Sequence, residues 1–404
     1  MMTGTMSGNR GSLASRIAAV DVIRGAVMLL MALDHVRLYL SNADFDPMDL
    51  SHTTLPLFLT RWITHFCAPA FVFLAGAAAL LRGRKTGVAS LSRFLLVRGV
   101  WLIVLEMTVV RLGWTFNFDY RHYMLAGVLW MIGWCLVGLA ALVHFSTAAV
   151  GAFGLVVIFG HNLLDRALPP QMAAIQASPL KWLWQVLYLG WTVPVGNVTV
   201  LAVLYSLVPW IGVVAVGYAF GAVLTWPDGQ RRRTCLAIGL ASVALFLVLR
   251  GWNVYGNASP WKPQASAAFT VLSFINTRKY PASLLFLLMT LGPTILAIPL
   301  AERMRGRVGA FLQVFGRVPL FFYVLHIWLA HLVAVGLSGL RYGSVIPWMF
   351  ANHPFLPGDR PDGYGYGLGV VWLATAVVIA VLYPLCRWFA ARKAENPGSL
   401  LSFL

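Results

Sequence analysis

Hydropathy leaves this chain almost no choice of solvent. Apolar runs recur along its whole length, at 17 to 40, 56 to 81, 91 to 112, 123 to 143, 146 to 164, 198 to 224, 234 to 251, 282 to 301, 318 to 340 and 368 to 391. Each approaches or exceeds the ~20 residues a helix needs to cross the hydrocarbon core. The predicted fold is therefore all-α, a polytopic membrane helix bundle of about ten transmembrane helices. Composition agrees: 59% of the 404 residues are hydrophobic, 11% are charged and the mean hydropathy is +0.77, more apolar surface than a water-soluble domain can bury. The stretch LKWLWQVLYLGWTV at 180 to 193 is too short and Trp-rich to span and reads as an interfacial helix. The first apolar run is already of spanning length and has no basic n-region before it, so no removable leader is expected.

The net charge of +17, from 30 Lys+Arg against 13 Asp+Glu, would suggest nucleic acid if the basic residues formed one patch. They are instead dispersed as short clusters in alternate connections: Arg10 and Arg16; Arg82, Arg84 and Lys85; Arg231 to Arg233; Arg303, Arg305 and Arg307; Arg392 and Lys393. That asymmetry places these connections, and both termini, on the cytoplasmic side. The other connections, including the acidic 41 to 55 stretch with Asp44, Asp46 and Asp49, fall on the far side. Cys67, Cys135, Cys235 and Cys386 lie in or beside apolar runs without CxxC or metal-ligand spacing, and read as packing residues. The expected organisation is a flexible cytoplasmic N-terminus (1–15), one membrane domain (16–393) and a short C-terminal tail (394–404).

Ionisable residues inside a bilayer need a protein or water partner, and helix one, IAAVDVIRGAVMLLMALDHVRLYL, carries several. Arg24 and His35 are eleven residues apart, ~20° out of phase and separated by ~16 Å of rise, with Asp21 ~60° away. One face therefore carries an anion binder low and a titratable base high. Asp34 cannot face His35 on the same helix, so the partner that orients the imidazole should come from elsewhere. A plain alternative for Asp21 and Arg24 is a pair that glues helices. Helix two places His65 at a depth comparable with His35, as a candidate second histidine or as a satisfied core residue. Helix three carries Arg98 in its inner third and Glu106 in its outer third, and Glu106 has Arg111 as a candidate partner.

Helix nine carries His326 and His331, five residues and ~140° apart, so they cannot chelate as a pair, and no metal is predicted. Before helix eight, NTRKYP puts Asn276, Lys279 and Tyr280 at the far-side mouth, as substrate contacts or as interfacial snorkelling residues. Buried His, Asp, Glu and Arg also mark proton relays, so a proton-coupled transporter or channel is the alternative function. Against it, the chain shows no inverted repeat and no matched pair of broken helices.

The segments AVDVIRGAVMLLMALDH, THFCAPAFVFLAG, VPWIGVVAVGYAFG, NTRKYPASLLFLLMTLGP and GRVPLFFYVLHIWLAH, in this order, resemble bacterial membrane proteins related to the catalytic domain of heparan-alpha-glucosaminide N-acetyltransferase. The resemblance runs from about residue 16 to 393. It implies a multi-pass acyltransferase of the bacterial inner membrane that moves an acetyl or short acyl group from cytosolic acyl-CoA to a hydroxyl or amine of a glycan or glycolipid across the bilayer. Related polysaccharide O-acyltransferases bear an Arg and a His with the spacing of Arg24 and His35. The implied donor contacts are Arg24, Arg98 and Asp21, with the 82–85 loop assisting; the implied catalytic group is His35 as base, oriented by His65 or Asp34. Acceptor contacts fall to Glu106, Asn276, Lys279, Tyr280, His326 and His331. The eukaryotic pattern also directs attention to His52. Implied partners are acyl-CoA, the acceptor and the lipid bilayer, with a homodimer as a further option.

Overall fold

The computed structural model describes residues 6–196, 199–354 and 360–396, with side chains from residue 18 onward except at Thr199. Of the two expected tails, residues 1–5 and 397–404 lie outside the described residues. The chain begins with α1 (Met6–Leu40), α2 (Leu55–Thr86) and α3 (Val88–Thr115), then a strand β1 (Tyr123–Ala126), α4 (Val128–Leu142) and α5 (Thr147–Ala167). After short helical turns come β2 (Trp191–Val195), β3 (Thr199–Val203), α6 (Leu207–Thr225) and α7 (Asp228–Trp252). The last part holds α8 (Ala267–Ile275), α9 (Leu284–Ala301), α10 (Arg307–Arg317), α11 (Pro319–Tyr342) and α12 (Leu368–Glu395).

The protein is an all-α, multi-pass membrane protein. Among the described residues eight helices are long and apolar enough to cross a membrane: α2, α3, α5, α6, α7, α9, α11 and α12. The remaining two expected spans are α1, whose charged residues dilute its hydropathy, and α4. Only 15 residues long, α4 rises roughly 22 Å. The expected span at 123 becomes helix only at Val128 because Tyr123–Ala126 is strand, and the one at 198 opens as β3. These segments form a small sheet of order β1-β3-β2, with β1 parallel and β2 antiparallel to β3. β3 reads TVLAV, rich in β-branched residues, which suits pairing, and the sheet satisfies backbone that leaves the helical path. The expected interfacial helix at 180 to 193 is helical only through Leu189 and continues as β2.

Glycines set the helix crossings that bring polar groups together. A Cβ on Gly25 would strike the Leu312 carbonyl, and one on Gly316 the Asp21 carbonyl, so α1 and α10 touch backbone to backbone. Gly76 and Gly217 do the same for α2 and α6, against Val214 and Phe73. Small residues at such contacts are how membrane helices gain packing without a hydrophobic driving force. Within α2, Pro69 has no N–H to offer the carbonyl four residues back, and the helix tightens to a 3-10 turn at Thr64–Phe66. That turn swings Arg61 and Thr64 toward α1.

Candidate active site

Two cavities stack along the inner face of α1. The lower one, of about 510 Å³, lies among α1, α2, α3, α4, α10, α11 and the end of α12. Five cations line it, Arg24, Arg82, Arg98, Arg317 and Lys393, against one carboxylate, Asp21. Arg24 gives one hydrogen bond to the Leu74 carbonyl (3.2 Å) and sits 4.0 Å from Asp21. Above these charges the wall turns apolar, with Met28, Leu102, Leu129 and Ile132. Met31, Phe71 and Val128 then separate it from the upper cavity, which they also line. The upper space is only about 30 Å³ and is bounded by His35, Asp34, Thr64, Cys67, Tyr205 and Lys279.

His35 is held by another histidine. Its Nδ1 lies 2.7 Å from His326 Nε2, with the rings stacked at 15°, and His326 Nδ1 lies 3.0 Å from the Phe322 carbonyl. A carbonyl only accepts, so for two neutral rings the protons are assigned in turn. His326 Nδ1–H donates to Phe322, His326 Nε2 accepts from His35 Nδ1–H, and the lone pair of His35 remains on Nε2. The Trp114 ring packs edge-on against His35 at 4.8 Å. The orienting partner thus comes from α11, not from His65 or Asp34.

Asp34 is claimed by two guanidiniums, Arg37 at 3.0 Å and Arg61 at 2.7 Å, and Arg61 also donates to Thr64 Oγ1 at 3.0 Å. This bridge fastens the far end of α1 to α2 beside the upper cavity. His65 is buried against Phe286, its Nδ1 has no hydrogen-bond partner among the described residues, and it lines neither cavity. Glu106 does not meet Arg111. Its Oε2 accepts from Leu129 N at 3.0 Å, capping α4 from a neighbouring helix, and Gly127 leaves the room its carboxyl needs. Arg111 instead satisfies the carbonyls of Tyr123, Asn117 and Asp119.

The other expected contacts scatter. His331 lies between the Tyr39 and Phe116 rings with its nitrogens at the Gly113 and Met349 carbonyls, away from both cavities. Lys279 lines the upper cavity, its Nζ 5.8 Å from the Tyr205 ring centre and 5.2 Å from that of Tyr280. Asn276 binds the Met48 carbonyl (2.9 Å) and lines a separate far-side cavity. His52 is exposed on the 41–54 loop, 2.8 Å from Asp49, whose carboxyl is drawn down to about 2 by the hydrogen bond from Ser51 and then by His52. Tyr205, Arg317 and Lys393 line the cavities, and Arg61 braces Asp34 beside the upper one, without having been singled out. Arg61 and Arg317 lie at the ends of apolar runs, where cations commonly snorkel, so residue type alone gives no signal. No group of three His, Cys, Asp or Glu among the described residues has the arrangement of a metal site.

Fold and site together define a multi-pass membrane protein in which a basic cavity lies next to the small cavity of an oriented histidine. The description "heparan-alpha-glucosaminide N-acetyltransferase, catalytic" matches residues 16–255, and the chain belongs to that family of membrane acetyltransferases. The match takes in α1 through α7, hence Arg24, Asp34, His35, Arg61 and Arg98, and stops short of Lys279 and His326. No curated protein matches the chain.

Proposed function

We propose that the protein transfers an acetyl group from acetyl-CoA, bound from the cytoplasmic side of the cell's inner membrane, to a hydroxyl or amine of a glycan or glycolipid on the far side. The observation that carries this reading is the adjacency of the two cavities, which share Met31, Phe71 and Val128 as the wall between them. Arg24, Arg98 and Arg317 supply guanidinium forks for the donor's phosphates, with Arg82 and Lys393 adding charge. The apolar wall above them suits the pantetheine arm, and the small upper space suits a short acyl group. Arg24 and His35 are ~16 Å apart along α1, the stretch the arm would cover.

In the transfer step His35 Nε2 takes the proton of the acceptor's O–H or N–H as that atom attacks the thioester carbonyl. Lys279, on the same cavity, offsets the negative charge that gathers on the carbonyl oxygen. Collapse of the tetrahedral intermediate breaks the C–S bond, and the departing thiolate of CoA recovers the proton from His35. The basic connections on the side of Arg82 and Arg231 to Arg233 support entry of the donor from the cytoplasm.

The test is transfer of labelled acetyl from acetyl-CoA in proteoliposomes bearing envelope glycans and glycolipids, run beside thermal stabilisation of the purified protein by desulfo-CoA. The wild type should be stabilised and should label an acceptor. Replacing His35 by Ala should abolish labelling and leave the stabilisation intact. Absence of both responses in the wild type overturns the reading.

A further inference from the structure

Behind the far-side strap Asn276–Tyr280 lies a cavity of about 350 Å³ that the transfer chemistry does not use. Arg250, Lys262 and Arg278 line it, together with Ser259, Gln264 and Asn276, and none of its lining residues is acidic. Arg250 is 1% exposed, and its guanidinium donates to the carbonyls of Phe274, Ser259, Ser273 and Asn276 at 2.8 to 2.9 Å. Carbonyl dipoles steady that charge, but no described carboxylate pairs with it. Arg278 donates from Nε to the Tyr280 carbonyl (2.9 Å) and has Asp165 at 3.7 Å, and both Asp165 oxygens are also engaged, by Tyr188 (2.9 Å) and Asn162 (2.7 Å). Two of the three acids of the neighbouring 41–54 loop turn back on their own chain: Asp46 accepts from Met48 N, and Asp49 from Ser51 and His52. Three cations therefore face one space that no carboxylate lines. Exposed Trp252 ends α7 two residues beyond Arg250, as aromatic residues do at the membrane–water boundary, the level at which lipid phosphates lie.

We propose that this cavity binds a phosphate group, as a monoester or diester, at the far-side headgroup level. Arginine and lysine converging on one space recognise phosphate through charge-assisted hydrogen bonds. The strap joins this site to the chemistry. Asn276 and Arg278 line the phosphate cavity, while Lys279, the next residue, lines the cavity of His35. A phosphate-bearing acceptor would thereby be anchored on one side of the strap and present its nucleophile on the other. As an acceptor anchor the site rests on the acetyl-transfer reading; as a phosphate site it stands without it.

The experiment contains no acetyl-CoA, so the two readings fail separately. Purified protein in a phosphate-free sugar detergent is titrated with dihexanoylphosphatidylglycerol, with sn-glycerol 1-phosphate and with a neutral alkyl glucoside, following the melting temperature. Saturable stabilisation by both phosphate compounds, absent with the glucoside, identifies phosphate itself as the ligand; stabilisation by the lipid alone identifies a lipid headgroup. In either case Lys262→Glu and Arg278→Gln should each weaken binding roughly tenfold or more. No saturable response to either phosphate compound, or equal affinity in wild type and both variants, overturns the proposal.

Discussion

His35 Nδ1 faces His326 Nε2 across 2.7 Å, and the second ring is fixed in turn by the Phe322 carbonyl 3.0 Å from its Nδ1. The pair joins α1 to α11 and decides which nitrogen of His35 carries the lone pair. A base is useful only in the right tautomer, so His326 acts as a positioning residue for the proposed reaction. Removing His35 with alanine should lower kcat by ~10² to 10⁴. His326→Leu should cost on the order of 10- to 100-fold in kcat with little change in KM for acetyl-CoA. His326→Gln, whose amide oxygen still accepts from His35 Nδ1–H, should recover most of that loss. A leucine variant with wild-type kcat would remove the relay from the mechanism.

The charges of the lower cavity should act on donor affinity and leave the chemical step alone. Arg98→Gln or Arg317→Gln each removes a guanidinium at the mouth, and a charge-assisted hydrogen bond of about 1.5–3 kcal/mol corresponds to roughly a 10- to 100-fold rise in KM for acetyl-CoA. Rising salt should weaken donor binding in the wild type, because this mouth opens toward water. Initial rates against acetyl-CoA concentration at two ionic strengths check both statements. A fall in kcat at unchanged KM would place these arginines elsewhere in the mechanism.

How far the sequence reaches depends on what periodicity encodes. Length and hydropathy mark the spanning helices, and the phase of α1 puts Arg24 and His35 on one face; that face lines successive cavities in the fold. Periodicity is silent on which helix packs against which. His326 and His65 look alike in sequence, each a histidine within an apolar run, yet of the two His326 is the one that meets His35. The sheet escaped for a different reason. TVLAV, next to a long apolar run, reads as the first turns of a span, and only its pairing with β1 and β2 reveals a strand. Glu106 was legible as a buried acid but not as a cap, since its partner is the amide of Leu129 on another helix.

The crossing of α1 with α10 predicts a steric response beside the donor cavity and below the histidine pair. Gly25 and Gly316 each face a carbonyl of the other helix, so a methyl group must push backbone away from backbone. Gly25→Ala should destabilise by about 1–3 kcal/mol, as overpacking does. Because Asp21 and Arg24 flank the contact, donor binding should weaken with it. Melting temperature and desulfo-CoA affinity, measured on the same preparation, test the pairing of the two effects; an unchanged melting temperature would mean that the helices do not touch there.

His353 predicts how stability depends on pH. It sits on the loop before α12, 1% exposed, with Nε2 2.9 Å from the Trp348 carbonyl and its own carbonyl accepting from Tyr123 at 3.0 Å. The Trp348 and Tyr39 rings pack edge-on against it at 4.5 and 5.2 Å. Burial lowers its pKa from the ordinary 6.5 to about 4. The unfolded chain therefore takes up a proton at a higher pH than the folded one does. Above about pH 6.5 both states are neutral here and nothing is lost; as pH falls from there through about 4, the unfolded state gains and stability drops, by about 3 kcal/mol in all. His353→Gln has no ring to protonate, so between pH 7.5 and 4.5 its melting temperature should fall less than that of the wild type. Equal falls would assign the acid sensitivity to other groups, whereas a smaller fall in the variant identifies the clamp formed by Trp348, Tyr123 and His353 as an element that acid loosens, without direct contact with either cavity.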